Sequence, residues 1–358
     1  MVFADSLQST GRKGEKMKVL LIGGTGLIST ATTRVLLEAG HEITHFNRGV
    51  SSGEFKDRVK TIVGDRTDHA AFERMMAAAG QFDCVIDMIC FLAEEARSAI
   101  RAFSGKTPQY VFCSTTDVYT KPPKHFPIRE DEERFPLKEF PYAWEKAECE
   151  KLLEQAHREG KFAVTIIRPS ATYGEGRGAV DPFRSEPFYF DRIRKGKALI
   201  VHGDGTSLWT SCHRDDVGRA FANAAGNRTA FGKAYNASGD DCMTWNQYWL
   251  GIAEALGKPC PRLVHIPTDL LVKVAPNKAS WCGVNFQHDN IFYNDAAKRD
   301  LGLSVTIHWV DGMRRSIKWL DDHGKMPSWE SAPWYDRIID AWDRSGAGMA
   351  DALKGVGL

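Results

Sequence analysis

The stretch KVLLIGGTGLIS, residues 18–29, decides the fold of this chain. It begins with a short continuous apolar run, residues 19–22, which is typical of a strand buried on both faces. The glycines that follow permit a tight turn and a close approach of the backbone to a ligand. A helix predicted over residues 28–39 would present unpaired N–H groups and a positive dipole end to that ligand. The stretch therefore predicts a phosphate-binding turn, with an ordinary glycine-rich βα turn as the alternative.

The same turn matches the dinucleotide-binding fingerprint in all but its last position. There Ser29 replaces the usual third glycine, and it is small enough to let the helix pack closely on the strand. A dinucleotide would be contacted by residues of the turn and of the helix start, namely Gly23, Thr25, Gly26, Leu27 and Ile28.

Composition and charge limit the kinds of partner. The chain has 358 residues, 43% of them hydrophobic, which is enough for one large α/β domain with a smaller lobe or for two ordinary domains. With 47 basic and 46 acidic residues the net charge is +1, which predicts no general attraction to nucleic acid or to an anionic membrane. We therefore expect a small-molecule partner.

The cysteines and the apolar runs bear on the cellular compartment of the protein. Eight cysteines include no CxxC pair, which favours buried thiols in a reducing compartment over disulfides or a metal site. No apolar run reaches the ~18 residues of a membrane span, and residues 1–16 lack the apolar centre of a signal peptide. We expect a cytoplasmic protein without a bound metal, and we interpret residues 1–16 as a flexible leader.

The end of the second predicted strand bears on the choice of cofactor. In HEITHFNRG, residues 41–49, an acidic residue near the strand end would bind the ribose 2′-hydroxyl of NAD. Asn47 and Arg48 stand there instead, and an arginine can accept a 2′-phosphate through charge-assisted hydrogen bonds. The sequence therefore favours NADP(H) over NAD(H). An exposed loop arginine without a ligand is the alternative.

Strand and helix patterns then alternate along the chain. VKTIVGDRTD, residues 59–68, predicts a third strand that ends at Asp65 and Arg66. DCVIDMICF, residues 83–91, and QYVFCSTTDVY, residues 109–119, predict a fourth and a fifth. This alternation predicts an α/β fold, a Rossmann-type doubly wound parallel sheet with helices on both faces.

Polar groups at the end of the fifth strand precede a YxxxK pattern. Ligands bind beyond the carboxyl ends of strands in such sheets, so these side chains should face the cofactor: Ser114, Thr115, Thr116 and Asp117. Tyr142 and Lys146 are four residues apart and share one helix face. A neighbouring ammonium favours the ionised form of a tyrosine, which could then take or give a proton. The alternative is an exposed aromatic beside a salt-bridged helix face.

Residues 17–325 resemble the extended short-chain dehydrogenase/reductase superfamily, which includes epimerases, dehydratases and reductases. The resemblance implies that Tyr142 transfers the proton, that Lys146 also binds the nicotinamide ribose, and that Thr115, or less favourably Ser114, orients the substrate. It further implies that IIRPSATYGEG, residues 166–176, is the RPxxxYG element of the superfamily. The implied or expected cofactor contacts outside the glycine turn are Asn47, Arg48, Asp65, Arg66, Met88, Pro169 and Ser170.

Departures from the superfamily pattern concern the substrate. Ile89 and Cys90 replace a small Ala-Gly pair beside the cofactor. Trp209 and Asn285 stand where nucleotide-sugar enzymes commonly have phosphate-binding arginines, which argues against a nucleotide-sugar substrate. Other arginines could replace them, namely Arg184, Arg192 and Arg214. The residues expected to meet substrate are Thr116, Arg184 and Trp209, with Trp209 as a plain core residue as the alternative.

Asp117 leaves two interpretations open. It is a general base beside a transient ketone, as in dehydratases, or it only caps the turn that follows the strand.

Together these patterns predict an NAD(P)-dependent oxidoreductase that acts on a hydroxyl or carbonyl carbon of a sugar- or polyol-like molecule. A redox-neutral epimerase or dehydratase, and a non-catalytic nucleotide- or RNA-binding relative, are the alternatives. We expect a dinucleotide-binding domain over residues 17–180 and a substrate lobe over 181–325, with about 205–240 returning to the sheet. We also expect a helical tail over 326–358 and a homodimer.

Overall fold

A computed structural model describes residues 16–50, 53–184 and 187–356. The predicted leader, apart from Lys16, lies outside the described residues. The chain divides into two compact units. Unit 1 comprises the described residues up to Tyr173 together with Thr210–Cys242 and Ile291–His308. Unit 2 comprises Gly174–Trp209, Met243–Asn290 and the described residues from Trp309 onwards.

Unit 1 contains a seven-stranded sheet in the order β10-β6-β5-β4-β1-β2-β3. Every neighbouring pair of strands in it is parallel. The predicted α/β fold with a parallel sheet is therefore confirmed. Its strands are β1 (Lys18–Ile22), β2 (Glu42–Asn47), β3 (Lys60–Val63), β4 (Cys84–Asp87), β5 (Gln109–Cys113), β6 (Ala163–Pro169) and β10 (Lys233–Ala237).

Helices cover both faces of this sheet, which explains the uninterrupted apolar run in β1. Val19 and Leu21 pack in one core cluster, whereas Leu20 and Ile22 pack in the other. A strand with helices on both sides buries successive side chains in opposite cores, so each of its positions is apolar. The helices of unit 1 are α1 (Leu27–Glu38), α2 (His69–Ala78), α3 (Ala93–Phe103), α4 (Pro141–Arg158), α6 (Arg214–Ala224) and α10 (Asp295–Leu301).

Helices α1 and α6 approach closely at Gly218. A Cβ atom added to Gly218 would lie 2.6 Å from the Cβ of Ala31 and 2.9 Å from the backbone nitrogen of Thr32. Both neighbours belong to α1 and one is backbone, so only glycine fits here. This contact packs α6 against the helix that follows the glycine turn.

Unit 2 is built mostly from helices and aromatic side chains. Its elements are α5 (Tyr189–Arg194), β8 (Leu199–His202), α7 (Trp245–Ala255), β12 (Leu263–Ile266), α8 (Thr268–Val274), α9 (Pro276–Trp281), a π-helical turn (Cys282–Phe286), α11 (Trp309–Asp322) and α12 (Pro333–Ala352). Strands β8 and β12 pair in parallel. The remaining strands among the described residues are β7 (Ala171–Tyr173), β9 (Leu208–His213) and β11 (Cys242–Thr244).

The first half of α12 packs on unit 2. The Tyr335 hydroxyl accepts a hydrogen bond of 2.7 Å from the backbone nitrogen of Ile200, and Asp336 forms an ion pair with buried Arg192. From Asp343 onwards the helix is exposed on all sides. In the described part of the chain no helix combines the length and the apolarity that crossing a bilayer requires. The division into a cofactor domain, a substrate lobe and a tail stays a prediction about function.

Candidate cofactor and proton-transfer site

The glycine turn after β1 has the backbone geometry that the sequence predicts. Gly23 has a φ of +84°, a conformation that favours glycine, and its N–H donates to the carbonyl of Phe46 at 2.9 Å. A Cβ at Gly24 would lie 2.3 Å from the ring of buried His45. Ser29 is buried, and its Oγ accepts a hydrogen bond of 2.7 Å from the N–H of Gly26. Ser29 therefore fixes the start of α1 in addition to letting the helix pack closely.

The exposed side of the turn fits a dinucleotide pyrophosphate. Gly26 is exposed, and a Cβ added there would have only the Oγ of Ser29 and the carbonyl oxygen of Gly23 within 4 Å. Thr25, Leu27 and Ile28 are partly exposed around it. Because α1 begins directly after Gly26, its free N–H groups and positive dipole end point at this open side. These residues would hold the pyrophosphate of a bound dinucleotide.

Asn47 and Arg48 occupy the end of β2 in different ways. The carboxamide oxygen of Asn47 accepts a hydrogen bond from the N–H of Gly24, so this side chain is part of the turn. Arg48 is exposed. Hydrogen bonds from Thr67 lower the pKa of nearby Asp65, and the positive charge of Arg48 lowers it further. Arg48 and Asp65 therefore lie close enough to interact at the exposed ends of β2 and β3.

Arg66, the neighbour of Asp65, points into the protein. Its guanidinium donates to Asp87 at 3.2 Å and to the carbonyl of Glu95 at 2.7 Å, and it lies 4.2 Å from the centre of the Phe72 ring. The side chain is 3% exposed. Its contact with the cofactor stays a prediction, while the contacts in the structure tie β3 to β4 and α3.

The three predicted catalytic residues come from two elements. Thr115 follows β5, whereas Tyr142 and Lys146 are one turn apart at the start of α4. Thr115 lies near enough to the Tyr142 phenol to act on its pKa. The Lys146 ammonium is buried, donates to the carbonyl of Cys113 at 2.6 Å, and lies 4.6 Å from the centre of the Phe91 ring. Helical spacing thus brings the phenol and the ammonium together, and the end of β5 adds the Thr115 hydroxyl to the same region.

The pKa of Tyr142 differs from the expectation that the ammonium alone suggests. Burial raises this pKa, Lys146 opposes the rise, and the negative charge of Asp117 adds to it, so the pKa lies above its usual value. Burial is the largest single influence and would lower the pKa of Lys146, but the interactions with Tyr142 and with three cysteine thiols together outweigh burial and raise it. At neutral pH the site therefore holds a neutral phenol beside a charged ammonium. Lys146 favours the ionised form of Tyr142 as predicted, but burial and Asp117 together outweigh it.

The other polar residues after β5 are mostly buried. Ser114 and Thr116 are each 3% exposed, and the backbone N–H of Ser114 pairs with the carbonyl of Ile167 at 2.8 Å. The hydroxyl oxygen of Thr115 accepts a hydrogen bond of 3.2 Å from the N–H of Asp117. Thr115 therefore caps the short turn over residues 116–118, and the capping interpretation of Asp117 stays a prediction. Its carboxylate is half-buried.

Three further residues predicted to contact the cofactor lie at the carboxyl ends of strands. The N–H of Met88, after β4, donates to the carbonyl of Ile22 at 3.0 Å. Pro169 ends β6, and the N–H of Ser170 donates to the carbonyl of Ala237 at 3.1 Å. The sheet therefore brings Met88, Pro169 and Ser170 to the edge where the glycine turn lies.

A buried ion pair between Arg168 and Glu150 supports α4. The sequence analysis did not identify Glu150 as part of the site. Arg168 donates two hydrogen bonds to Glu150, at 2.8 and 2.9 Å, and another to the Tyr119 hydroxyl at 2.8 Å. Glu150 is completely buried and lies one turn after Lys146. The signal was present, because Tyr142, Lys146 and Glu150 follow one another at intervals of four residues and share one helix face.

The substrate residues predicted in unit 2 lie in different surroundings. Trp209 is 4% exposed, with its ring centre 4.9 Å from that of Trp245 and 5.1 Å from that of Phe286. Arg184 is exposed, and its guanidinium lies 3.5 Å from the centre of the Trp281 ring. Trp209 is therefore a core residue of unit 2, and its role in substrate binding stays a prediction.

The other positions considered for phosphate binding are largely buried. Asn285 is 1% exposed, and Arg192, also 1% exposed, donates to the carbonyl of Ala198 and pairs with Asp336. Arg214 belongs to unit 1, where its Nε lies 3.6 Å from the carboxylate of Asp215. Among the three arginines, Arg184 is the one with an exposed side chain.

Comparison with known proteins places these features in one family. A family model described as NAD dependent epimerase/dehydratase matches residues 19–104 and 92–238. The chain is 30% identical over 264 residues to the chloroplast stem-loop binding protein of 41 kDa b from Arabidopsis thaliana, covering 69% of this chain and 65% of that protein. It is 26% identical over 245 residues to 2'-dehydrokanamycin reductase from Streptomyces kanamyceticus, covering 68% of each.

Solved structures share the fold. An epimerase from Methanothermobacter thermautotrophicus matches with a TM-score of 0.71 at 18% identity, covering 90% of this chain and 96% of that one. A dTDP-glucose 4,6-dehydratase from Bacillus anthracis, solved in complex with NAD, matches with a TM-score of 0.68 at 16% identity, covering 86% and 98%. These matches confirm the Rossmann-type fold that the sequence predicts.

Proposed function

Because this chain belongs to the NAD dependent epimerase/dehydratase family, we propose that it is an NAD(P)-dependent oxidoreductase of the extended short-chain dehydrogenase/reductase type. Membership confirms the resemblance seen in the sequence and supports an oxidoreductase or epimerase/dehydratase at that general level. The reaction proposed is reduction of a carbonyl, or oxidation of a hydroxyl, on a sugar- or polyol-like small molecule.

One observation carries this proposal: the Lys146 ammonium is buried one helical turn from Tyr142 and donates to the carbonyl of Cys113 at 2.6 Å, two residues before Thr115. In the reducing direction the neutral phenol of Tyr142 would give its proton to the carbonyl oxygen of the substrate. The Thr115 hydroxyl would hold that oxygen in place, and the Lys146 ammonium would stabilise the phenolate until water returns the proton. The raised pKa of Tyr142 suits this direction, since the proton is present at neutral pH.

A nicotinamide cofactor bound at the glycine turn would supply or take up the hydride. The family is NAD-dependent by its description, which supports NAD(H) as a cofactor. We propose a preference for NADP(H) beyond that. Its support is Arg48, which is exposed at the end of β2 and can pair with a 2′-phosphate. Asn47 argues against a preference for NAD(H), because it is not acidic. Its carboxamide oxygen already accepts a hydrogen bond from the N–H of Gly24.

Two other functions stay as alternatives, a redox-neutral reaction and binding of a nucleic-acid stem-loop. A redox-neutral epimerisation or elimination would use the same Tyr142 and Lys146, and Asp117 would be its additional base. Stem-loop binding is named for the chloroplast relative at 30% identity. The near-zero net charge and the retained Tyr142–Lys146 pair favour catalysis over that second alternative.

We also propose that the protein is a cytoplasmic homodimer whose small-molecule substrate is not nucleotide-linked. The cysteine pattern supports a reducing compartment, since Cys84, Cys90, Cys113, Cys149, Cys212 and Cys282 are buried free thiols. Light scattering during size-exclusion chromatography tests the dimer directly.

The deciding experiment measures cofactor and reaction together. The purified protein is denatured to release any nicotinamide, whose identity and redox state are read by chromatography. Carbonyl substrates are then assayed by loss of reduced cofactor, and redox-neutral products are sought by mass spectrometry and NMR. Oxidation of NADPH that depends on substrate and on Tyr142 supports the proposal. Tight RNA stem-loop binding with no cofactor binding would replace it by the second alternative.

A further inference from the structure

Phe91 is an exposed aromatic side chain beside the proton-transfer groups, and the proposed mechanism does not use it. The side chain is 44% exposed, although it directly follows the buried residue Cys90. The ammonium of Lys146 lies 4.6 Å from the centre of the Phe91 ring. The centre of the Tyr142 ring lies 6.5 Å from the same point, with the two ring planes inclined by 44°. Phe91 therefore borders both the proposed proton donor and the ammonium that stabilises it.

The backbone that carries this ring is fixed by hydrogen bonds at the start of α3. The N–H groups of Phe91 and Leu92 both donate to the same carboxylate oxygen of Glu95, at 2.5 and 3.0 Å. Glu95 is itself only 4% exposed. The N–H of the next residue, Ala93, donates to the carboxylate of Glu145 at 2.9 Å. Because Glu145 belongs to α4, these bonds fix the position of Phe91 relative to the helix of the proton-transfer pair.

The exposed part of the Phe91 ring is accessible to a ligand. A single exposed aromatic is ordinary on a protein surface, and Phe91 differs from that case by its position. The Lys146 ammonium covers one face of the ring, so the exposed area belongs to the opposite face and the edge. A substrate whose carbonyl oxygen reaches Tyr142 brings the groups next to its reacting carbon close to this area. An apolar surface there would be removed from water by the ring, which favours binding.

A ring-shaped substrate fits this surface better than a flexible chain. The C–H face of a sugar ring is flat and apolar, and an aromatic ring offers it a flat apolar partner. An open-chain polyol has no such continuous face. It also loses more rotational freedom when it is fixed at the same place, which costs binding free energy. Contact with Phe91 would therefore favour cyclic over open-chain substrates.

We propose that Phe91 is a specificity-determining residue, whose exposed ring packs against the C–H face of a cyclic sugar and so selects cyclic over open-chain carbonyl substrates. The inference rests on the proposed function of the site around Tyr142, and it narrows the substrate class of that site. Trp209, the aromatic residue that the sequence predicts at the substrate, is 4% exposed, whereas Phe91 has the accessible area that such a contact needs.

The test compares cyclic keto-sugars with open-chain hydroxyketones of the same carbon number that cannot close a ring. Phe91→Ala is expected to lower kcat/KM for the cyclic substrates by roughly 3- to 10-fold, the factor of a lost aromatic contact. The open-chain substrates should be nearly unaffected, and Phe91→Tyr should keep the wild-type ratio. Phe135→Ala is the matched control, because that side chain is 59% exposed and packs on Trp144, on a different face of α4 from Tyr142.

The ratio of cyclic to open-chain turnover separates this role from two others. Equal losses for both kinds of substrate would mean that Phe91 only shields the Lys146 ammonium from water. Equal losses together with weaker cofactor binding, measured by calorimetric titration, would mean that the ring contacts the nicotinamide cofactor. Either result leaves the ratio unchanged and overturns the inference, as does a Phe91→Ala variant with wild-type kinetics.

A second readout does not depend on turnover. In saturation-transfer NMR of the cofactor-saturated protein, irradiation of aromatic protons should transfer magnetisation to the ring C–H protons of methyl glucopyranoside, galactopyranoside or mannopyranoside. The initial transfer rate should fall in Phe91→Leu and stay unchanged in Phe135→Leu. No transfer in the wild type, or equal transfer in Phe91→Leu, would overturn the inference. Turnover that survives Tyr142→Phe would overturn the proposed function, while the NMR comparison would still decide whether Phe91 contacts a sugar ring.

Discussion

The carboxamide oxygen of Asn47 accepts a hydrogen bond from the backbone N–H of Gly24, with 2.9 Å between the two atoms. This bond joins the end of β2 to the glycine turn after β1. An acidic side chain at position 47 would place a negative charge beside the predicted 2′-phosphate. Asn47 is neutral, and its side chain is bonded to the turn. The exposed guanidinium of Arg48 is therefore the group at this strand end that can pair with a phosphate.

Replacing Arg48 should therefore change cofactor choice. We expect NADP(H) to bind at least about tenfold more tightly than NAD(H), since one charge-assisted hydrogen bond contributes about 1.5–3 kcal/mol. Arg48→Ala should abolish most of that preference and leave NAD(H) affinity nearly unchanged. Calorimetric titration of both cofactors measures this. Arg58→Ala, a change in an exposed arginine of the same region, is the control. Equal affinities in the wild type would show that Arg48 meets no phosphate.

Removing the hydroxyl group of Tyr142 should stop turnover while the cofactor still binds. Tyr142→Phe deletes the hydroxyl and little contact area, so we expect a loss of about 10²–10⁴-fold in kcat with cofactor affinity nearly intact. Lys146→Met should weaken both, because the lysine is expected to meet the ribose as well. Tyr293→Phe, at a partly exposed tyrosine, is the control. Steady-state kinetics and cofactor titration separate the two effects, and a Tyr142→Phe variant with near-normal kcat would refute the assignment.

A methyl group at Gly218 should destabilise unit 1. The new Cβ would meet the Cβ of Ala31 and the backbone of α1, neither of which can move freely, so we expect a loss of about 1–3 kcal/mol in unfolding free energy. Gly346→Ala is the matched control: this helical glycine has nothing within 4 Å of an added Cβ, and alanine should stabilise by about 0.5–1 kcal/mol. Thermal and urea unfolding followed by circular dichroism measure both. Equal effects would mean that α1 and α6 do not touch as described.

The acid dependence of stability should reflect the buried pair of Glu150 and Arg168. Burial would raise the pKa of Glu150, but Arg168, with help from Arg134, outweighs burial and holds it below its usual value. A carboxyl whose pKa is lower in the folded state binds more protons when unfolded. Its contribution is therefore present above the unfolded pKa and is lost as pH falls through the folded value.

Glu150→Gln should accordingly lower stability at neutral pH, by about 3–5 kcal/mol, because it leaves the buried Arg168 without a counter-charge. It should also flatten the loss of stability on acidification. Glu148→Gln is the control on the same helix, where an exposed pair with Lys151 at 2.7 Å should contribute about 1 kcal/mol or less. Urea unfolding at several pH values measures both slopes. An unchanged acid dependence in Glu150→Gln would exclude this carboxyl as a source of it.

Some parts of the molecule could be predicted from the sequence and others could not. The sheet was predictable because a strand covered on both faces must be apolar throughout, as Val19–Ile22 is. The proximity of Tyr142 and Lys146 was predictable because helical periodicity is local. The burial of Arg66 was not, and for Trp209 the sequence left a core and a substrate position both open, because burial depends on partners distant in sequence such as Asp87 and Phe286.

The direction of the Tyr142 pKa shift was unpredictable for a related reason. Sequence spacing identifies Lys146 as a neighbour, but the shift is a balance of burial, Lys146 and Asp117. Only the folded structure shows how strongly each of these acts, since burial depends on every element around the phenol.

The nature of the substrate leads to the last prediction. A diphosphate inside a protein needs cationic or bidentate partners, and leaving it without them costs several kcal/mol. Trp209 and Asn285, at the two positions where nucleotide-sugar enzymes commonly have arginines, are both buried, and the guanidinium of Arg192 is already paired with Asp336. Of the three arginines considered as replacements, Arg184 is the exposed one.

We therefore expect free sugars, sugar acids or polyols to be turned over at least roughly 100-fold more efficiently than UDP-, TDP- or GDP-sugars, since a few kcal/mol of unpaired phosphate corresponds to that factor or more. The panel is read by cofactor absorbance and, for redox-neutral reactions, by product analysis. Arg184→Ala should leave this preference unchanged, and Lys278→Ala, at another cation of unit 2, should do the same. Efficient turnover of a nucleotide sugar that Arg184→Ala abolishes and Lys278→Ala preserves would instead make Arg184 the phosphate-binding residue. It would also show that the loss of arginine at positions 209 and 285 does not exclude nucleotide-linked substrates.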